Sequence, residues 1–163
     1  MKNIKIIRKE IKGSIENNKS LKDFNTWKVG GNAEFFYEPK SLKDLIIFLK
    51  LVKDTEITFL GNGSNVLIRD DGIKGCVICL KNTFNGHQIN KNNEFVIEAG
   101  LSCMKIAQIT AKKNYTGLEF LCGIPGSLGG ALAMNAGCYG GNIWENVTKV
   151  SLINKDGEVI EKD

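Results

Sequence analysis

Between Gly117 and Gly141 the chain reads GLEFLCGIPGSLGGALAMNAGCYGG, eight glycines in 25 residues with Glu119 as the only charged side chain. Glycine loses more backbone entropy on folding than any other residue, so ordinary helices and strands avoid it. A stretch this rich in it is either a flexible linker or a place where backbone comes close to something. Linkers are polar or Gly/Ser-rich, whereas this one carries Leu118, Phe120, Leu121, Ile124, Leu128, Leu132 and Met134. The stretch therefore predicts a buried, backbone-lined ligand site.

The 163 residues suit one domain or two small ones, and 42% hydrophobic with 25% charged residues is ordinary for a soluble globular protein. The net charge of +4 is mildly basic, with a cluster at Lys2, Lys5, Arg8, Lys9 and Lys12. No aromatic-interleaved basic stripe accompanies it, which argues against nucleic acid as the main partner. No apolar run approaches the roughly 18 residues of a membrane span, and the N-terminus lacks the apolar core of a secretory signal. Five cysteines (76, 79, 103, 122 and 138) show no framework spacing. Cys76 and Cys79 lie in an apolar strand-like run, where residues three apart face opposite ways and cannot readily chelate or cross-link. Buried free thiols in a reducing cytosol are expected, with no metal.

Along the chain, residues 1–20 read as an amphipathic helix ending in a polar turn over Ile15–Ser20. A strand is expected over 33–38. Ser41 with Asp44 then reads as a capping box opening a helix whose apolar face is Leu42, Leu45, Ile46, Leu49 and Val52. Strands follow at 57–60, 66–68 and 76–80. The polar stretch 84–93, including His87, reads as turns, and a strand over 94–99 and a helix over 102–113 capped by Ser102 come after it. Asn154–Gly157 is a hairpin signal between strands at 147–153 and 158–160. The pattern is α+β. It divides into a 1–20 extension, a subdomain over 21–82 and a second over 83–163.

Two loops carry chemistry. Gly61-Asn62-Gly63-Ser64-Asn65 starts like a dinucleotide-binding fingerprint, but Val66 stands where the third glycine belongs and a strand, not a helix, is expected next. Its glycines let consecutive N–H groups face one concavity, a nest for phosphate oxygens, with Ser64 and Asn65 as added donors. A plain hairpin loop is the competing reading. In Gly123-Ile124-Pro125-Gly126-Ser127, the proline stiffens the turn and Gly126 and Ser127 place donors at the start of a helix. Gly129, Gly130, Ala131 and Ala133 leave that helix with little side-chain bulk, so a flat ring or another backbone can lie on it; tight core packing is the alternative. No GK[ST] follows either loop, which excludes a P-loop NTPase.

Phe24-Asn-Thr-Trp-Lys-Val-Gly-Gly31, Gly61-Asn-Gly-Ser-Asn-Val-Leu-Ile68, Gly117–Gly130 and Met134-Asn-Ala-Gly-Cys-Tyr-Gly140 occur in this order. Together they resemble the UDP-N-acetylenolpyruvoylglucosamine reductases (MurB family), from about residue 20 to the C-terminus. Asn32 departs slightly, since family members more often carry proline there. The resemblance implies an FAD-binding fold of the vanillyl-alcohol-oxidase/PCMH type, with two small α+β subdomains holding the cofactor. It implies that Gly61, Asn62, Gly63, Ser64, Asn65 and Val66 bind FAD together with Gly123, Ile124, Pro125, Gly126, Ser127, Gly129 and Gly130. Asn135 and Gly137 would lie along the flavin or its ribityl chain, and Tyr139 at the rim that meets substrate. The FAD would be non-covalent, since His87 lies in a polar turn and no cysteine stands beside a plausible attachment site.

The family reaction is cytoplasmic reduction of UDP-N-acetylglucosamine enolpyruvate by NADPH through FAD, a step of peptidoglycan precursor synthesis that serves cell-wall biogenesis, cell shape and division. The family's arginine, serine and glutamate have no matching positions here, so no catalytic residue is assigned. Arg8 and Arg69 stand in unrelated contexts. The expectation is a cofactor-binding part without the C-terminal substrate domain, inactive alone and with an exposed apolar surface. A non-catalytic FAD-binding remnant, or another flavin oxidoreductase of the same fold, are the competing readings.

Overall fold

The computed structural model describes residues 4–163, so the first three residues of the expected N-terminal helix lie outside the described residues. The chain forms two compact units. The first takes in the chain up to Leu60, Val66–Cys79 and Thr148–Asp163; the second comprises Gly61–Asn65 and Leu80–Val147. The expected division at 82/83 falls close to where the chain passes to the second unit at Leu80. The structure differs in counting the 61–65 loop with the second unit and residues 148–163 with the first.

In the first unit the N-terminal helix is shorter than its periodicity suggests, α1 at Ile4–Glu10, and the expected polar turn is instead strand β1, Ser14–Ser20. Ile15 explains the correction. It is buried while its neighbours are exposed, and the segment pairs antiparallel with β2, Asn32–Glu38, with Ile15 opposite Tyr37. Hydrogen bonding to a ready neighbour overrides the weak preference of a polar segment.

β4 (Ile73–Cys79) lies parallel to β2 and to β3 (Ile57–Leu60), giving a four-stranded sheet in the order β1-β2-β4-β3. The β2/β4 register slips by one residue between Ala33 and Phe35. Gly75 sits at the slip with φ +76°, where a Cβ would come within 2.4 Å of the Glu56 carbonyl oxygen. Only glycine fits a backbone approach that close in that conformation.

Phe36, Val77 and Cys79 of the sheet join Leu21, Ala33, Leu60 and Ile68 in one buried cluster. Tyr37, the next residue along β2, points to the opposite face and stacks on Phe48 of α2 (Leu42–Leu51) with ring centroids 3.9 Å apart. Cys76 and Cys79 thus lie three apart on a strand, both buried and neither in a disulfide. Residues 66–68, expected as a strand, pair in no sheet. Segment 28–31 runs beside them, with the Gly31 amide donating to the Arg69 carbonyl at 2.9 Å.

The capping box forms by half. Ser41 Oγ accepts from the Asp44 amide at 3.3 Å, but the Asp44 carboxylate does not reach back to Ser41. It accepts instead from the amides of Lys12, Gly13 and Lys40 and from the Tyr37 hydroxyl. The hairpin of β9 (Val150–Ile153) and β10 (Val159–Lys162) completes the unit. Its turn glycine, Gly157, lies against the Ile46 carbonyl of α2.

The second unit is built on α3 (Cys103–Lys112) and α4 (Leu128–Met134). Two small hairpins join them, β5 (His87–Ile89) with β6 (Phe95–Ile97) and β7 (Gly137–Cys138) with β8 (Gly141–Asn142). His87 is therefore a strand residue, not part of a polar turn. Leu101, Ile106, Phe120, Leu121, Ala131 and Ile143 form the core. Ser102 caps α3 as expected, its Oγ accepting from the Lys105 amide at 3.3 Å.

Candidate functional site

The two glycine loops meet in the second unit. Gly61 lies so close to Ser127 that a Cβ on it would stand 2.4 Å from the Ser127 Oγ, and Ser64 Oγ is 3.5 Å from the Cβ position of Gly126. Gly63 takes φ +68°, a left-handed turn that folds the 61–65 loop back on itself. Among the described residues, no hydrogen bond engages the amides of Asn62, Gly63, Ser64 or Asn65, nor those of Gly126 and Ser127. The juxtaposition leaves unengaged backbone donors on two adjoining loops, with Ser64 Oγ beside them.

The helix that follows adds no free donors of its own. The first amides of α4 are already taken: Leu128 donates to the Leu101 carbonyl at 2.9 Å, Gly129 to the Ala99 carbonyl at 2.8 Å, and Gly130 to Ser127 Oγ at 3.4 Å. An orphan helix terminus attracts anions only while its N–H groups are free. The donors left for a ligand are thus those of the loop before the helix. Ser127 is buried and its oxygen is the helix cap, so its side chain is first a structural acceptor with a hydroxyl proton to spare.

Gly129 sits against Ala99, where a Cβ would come within 3.1 Å of the Ala99 methyl. Part of the small-residue run is thus explained by packing of α4 on the segment before α3. Gly130, Ala133 and Met134 stay exposed and give a bare helix face. Asn135 ends α4 in the left-handed conformation (φ +45°), donating its amide to the carbonyls of Ala131 and Leu132 and leaving its side chain exposed.

Gly137 starts β7, and Tyr139 with Gly140 forms the two-residue turn to β8. Both turn residues have positive φ, +52° and +86°, the type I′ geometry that suits the strand twist of a tight hairpin. Tyr139 is held 83% exposed at its tip. Ile124 is half-buried and Pro125 exposed on the turn into Gly126.

The structure thus brings together Gly61, Asn62, Gly63, Ser64 and Asn65 with Gly126 and Ser127, and places Gly123 beside the Cys138–Tyr139 turn. Val66 is the exception. It packs on the core of the first unit, not among the loop donors.

Sequence reasoning missed Cys138. Its Sγ would lie 2.5 Å from a Cβ on Gly123, which puts a thiol beside a segment where none was expected. The thiols also divide: Cys76, Cys79 and Cys103 are buried as expected, whereas Cys122 is exposed and Cys138 half-buried. Burial pushes the Cys76 thiol up to about 12 and that of Cys103 up to about 11. Among the described residues no cluster of His, Cys, Asp and Glu side chains could hold a metal ion. No described helix is long and apolar enough to cross a membrane.

The free amides and the space left by glycine suit the pyrophosphate of a dinucleotide, which needs donors and close backbone rather than a counter-charge. Over 92% of its length the chain is 43% identical to the UDP-N-acetylenolpyruvoylglucosamine reductase of Legionella pneumophila (strain Corby), covering 49% of that protein. It is 45% identical to the reductase of Methylococcus capsulatus over 86% of this chain and 46% of the relative. The chain therefore spans about half the length of the curated relatives it matches.

Among solved structures it resembles UDP-N-acetylenolpyruvylglucosamine reductase from Thermus caldophilus, with a TM-score of 0.74 at 29% identity, covering 92% of this chain and 52% of that one. 6-Hydroxy-D-nicotine oxidase from Arthrobacter nicotinovorans matches at TM-score 0.65 and 19% identity over 93% of this chain and 36% of the oxidase. That likeness shows the shared fold alone, the α+β FAD-binding fold of the vanillyl-alcohol-oxidase/PCMH type. The family model described as "FAD binding domain" matches residues 33–163, and the chain belongs to that family of FAD-binding domains.

Proposed function

We propose that this chain is the FAD-holding portion of a UDP-N-acetylenolpyruvoylglucosamine reductase. The observation that carries the reading is the meeting of the 61–65 loop with Gly126 and Ser127, with their amides unengaged, in a chain 43% identical to such reductases over 92% of its length. The amides of Asn62, Gly63, Ser64, Asn65, Gly126 and Ser127 would receive the pyrophosphate oxygens, with the Ser64 hydroxyl as a further donor. Gly61 keeps the loop against Ser127. Gly123, Ile124 and Pro125 shape the turn that presents these donors, and Val66 anchors the end of the loop by packing on its own core.

Gly129 and Gly130 leave the start of α4 without side-chain bulk, and Asn135 and Gly137 border its far end. The flavin or its ribityl chain would lie along this run. Tyr139 would meet a UDP-sugar substrate. When bound, FAD would supply the redox chemistry, taking a hydride from NADPH and passing it to the enolpyruvyl group of the substrate. The protein's own share is orientation and preorganised donors that need no rearrangement when the ligand arrives.

We also propose that the chain alone does not complete the reduction. The family's arginine, serine and glutamate have no counterpart here. Arg8 donates to the Ile15 carbonyl at 3.0 Å in the first unit, and Ser102 and Ser127 serve as helix caps. A cytoplasmic setting fits free thiols and a UDP-sugar substrate. The family reaction would supply peptidoglycan precursors.

The test is direct. The purified chain mixed with FAD is expected to quench flavin fluorescence saturably and to release the flavin on denaturation, while NADPH oxidation with the enolpyruvyl substrate stays at background. Failure to bind FAD sinks the first proposal. Turnover like that of the full-length relatives sinks the second.

A further inference from the structure

We propose that Cys122 and Cys138 form a reversible disulfide under oxidation, closing the glycine-rich segment between them into a ring. The inference stands on geometry within the second unit and needs no bound cofactor. Cys138 Sγ lies 2.5 Å from the Cβ position of Gly123, and its Cβ 3.4 Å from the same point. Gly123 is the immediate neighbour of Cys122, with successive Cα atoms about 3.8 Å apart. A second sulfur is therefore one residue away from the Cys138 thiol, on the 3-10 turn Glu119–Gly123 against which β7 packs.

Only glycine at 123 leaves room for the sulfur there. The short hairpin can supply the remaining shift: β7 and β8 have two residues each, and at Gly140 an added Cβ would meet nothing within 4 Å. A disulfide needs Cα atoms about 4.4–6.8 Å apart, and the proposal requires the hairpin tip to bring Cys138 within that range of Cys122.

The two thiols also differ in the manner of a reacting and a resolving pair. Cys122 is exposed and open to an oxidant, while Cys138 is half-buried. Hydrogen peroxide is the oxidant by class. The Cys122 thiolate attacks one peroxide oxygen, forming an S–O bond and breaking O–O, and the departing hydroxide leaves as water. The Cys138 thiolate then attacks the Cys122 sulfur, forming S–S and expelling the second oxygen as water. Two thiols are oxidised by two electrons, one peroxide is reduced to two waters, and the thiol protons end in those waters.

The ring closed in this way holds Gly123 through Gly137, which is the second of the two loops with its helix. Oxidation thus cross-links the two ends of that segment.

The experiment is peptide mapping of the peroxide-treated chain. No lysine or arginine lies between Lys113 and Lys149, so trypsin yields one peptide, Asn114–Lys149, with Cys122 and Cys138 as its only cysteines. After oxidation and alkylation in denaturant, this peptide is expected unalkylated and lighter by two hydrogens, and reductant should restore both alkylation sites. The cross-link should form severalfold faster in the native chain than in the chain unfolded in denaturant, and amide exchange between Gly123 and Gly137 should slow. Cys122→Ser and Cys138→Ser should each lose the lighter peptide and leave the remaining cysteine alkylated or singly oxidised.

Three outcomes overturn the proposal: Cys122 over-oxidised or joined to another chain while Cys138 stays alkylatable, both thiols untouched, or equal rates in folded and unfolded chain.

Discussion

The Tyr37 hydroxyl donates to Asp44 Oδ2 at 2.8 Å, and the same oxygen accepts the amides of Gly13 at 2.8 Å and Lys40 at 2.9 Å, while Oδ1 takes the Lys12 amide at 2.6 Å. One buried carboxylate therefore holds the α1–β1 turn and the β2–α2 connection to the start of α2. Burial alone would raise its pKa, but the four donors, that of Lys12 foremost, outweigh burial and hold the carboxyl below the usual range. Burial, and next the hydrogen bond to Asp44, push the Tyr37 phenol up.

Asp44→Asn is expected to destabilise the chain by about 2–4 kcal/mol, because it replaces an acceptor of four donors by a group that brings its own N–H into the cluster. Urea unfolding at neutral pH measures it, and a loss within error would mean the donors find water instead. The pH dependence has a definite sign. The folded pKa of Asp44 is depressed, so its contribution is fully present above the unfolded carboxylate value of about 3.9 and fades as pH falls through the lower folded value. The stability difference between wild type and Asp44→Asn should therefore narrow on acidification below about pH 4.

Gly61→Ala places a methyl 2.4 Å from Ser127 Oγ. Overpacking of this kind costs about 1–3 kcal/mol, enough for roughly a tenfold loss of flavin affinity if the 61–65 loop swings away. The added variant Ser127→Ala removes the clashing oxygen and should recover part of that affinity. Fluorescence titration of the two single variants and the double variant reads the coupling, and strictly additive losses would place the damage elsewhere.

Ser64 and Ser127 are predicted to fail in different ways. Ser64 makes no hydrogen bond among the described residues, so Ser64→Ala should leave the melting temperature unchanged while weakening FAD binding by about 0.5–1.5 kcal/mol. Ser127 caps α4, so Ser127→Ala should cost about 1 kcal/mol of stability in addition to any effect on FAD. Thermal melts of the two variants without cofactor separate the roles.

Tyr139 occupies a left-handed position that a side chain of its kind rarely adopts. With Gly140 it forms a type I′ turn for which Asn-Gly is the preferred pair, so Tyr139→Asn is expected to stabilise the hairpin by about 0.5–1 kcal/mol. A gain in melting temperature would mean the tyrosine is kept at a cost, as expected of a residue that meets a ligand. A clear fall would assign the ring a packing role instead.

Much of the fold was legible in the sequence because it rests on local rules. Ser41 and Ser102 cap the helices they were expected to cap, and the Asn154–Gly157 turn joins two strands. The 66–68 segment and β1 were misread for a common reason: whether an extended segment finds a hydrogen-bonding neighbour is decided by distant residues such as Phe35 and Tyr37, not by its own composition. At the candidate site, the two glycine loops were readable as backbone that approaches something. That Gly61 answers to Ser127, Gly129 to Ala99 and Gly123 to Cys138 was not, since a missing side chain says nothing about which atom occupies its place. Asp44 carries the same lesson. Its spacing from Ser41 suggested a partner four residues of chain could reach, but the carboxylate serves a turn more than thirty residues away.

The five residues from Gly61 to Asn65 belong to one unit while the chain on both sides of them, Leu60 and Val66, belongs to the other. No single cut of the chain therefore separates the two. A fragment starting at Leu80 would keep α3, α4 and both small hairpins yet lose the four donors of the 61–65 loop, and a fragment ending at Cys79 would carry a loop with nothing to close on. The loop is covalently continuous at both ends with residues of the first unit, so unfolding that unit releases both of its anchors. Stability and ligand capture are then expected to be lost together in a single transition.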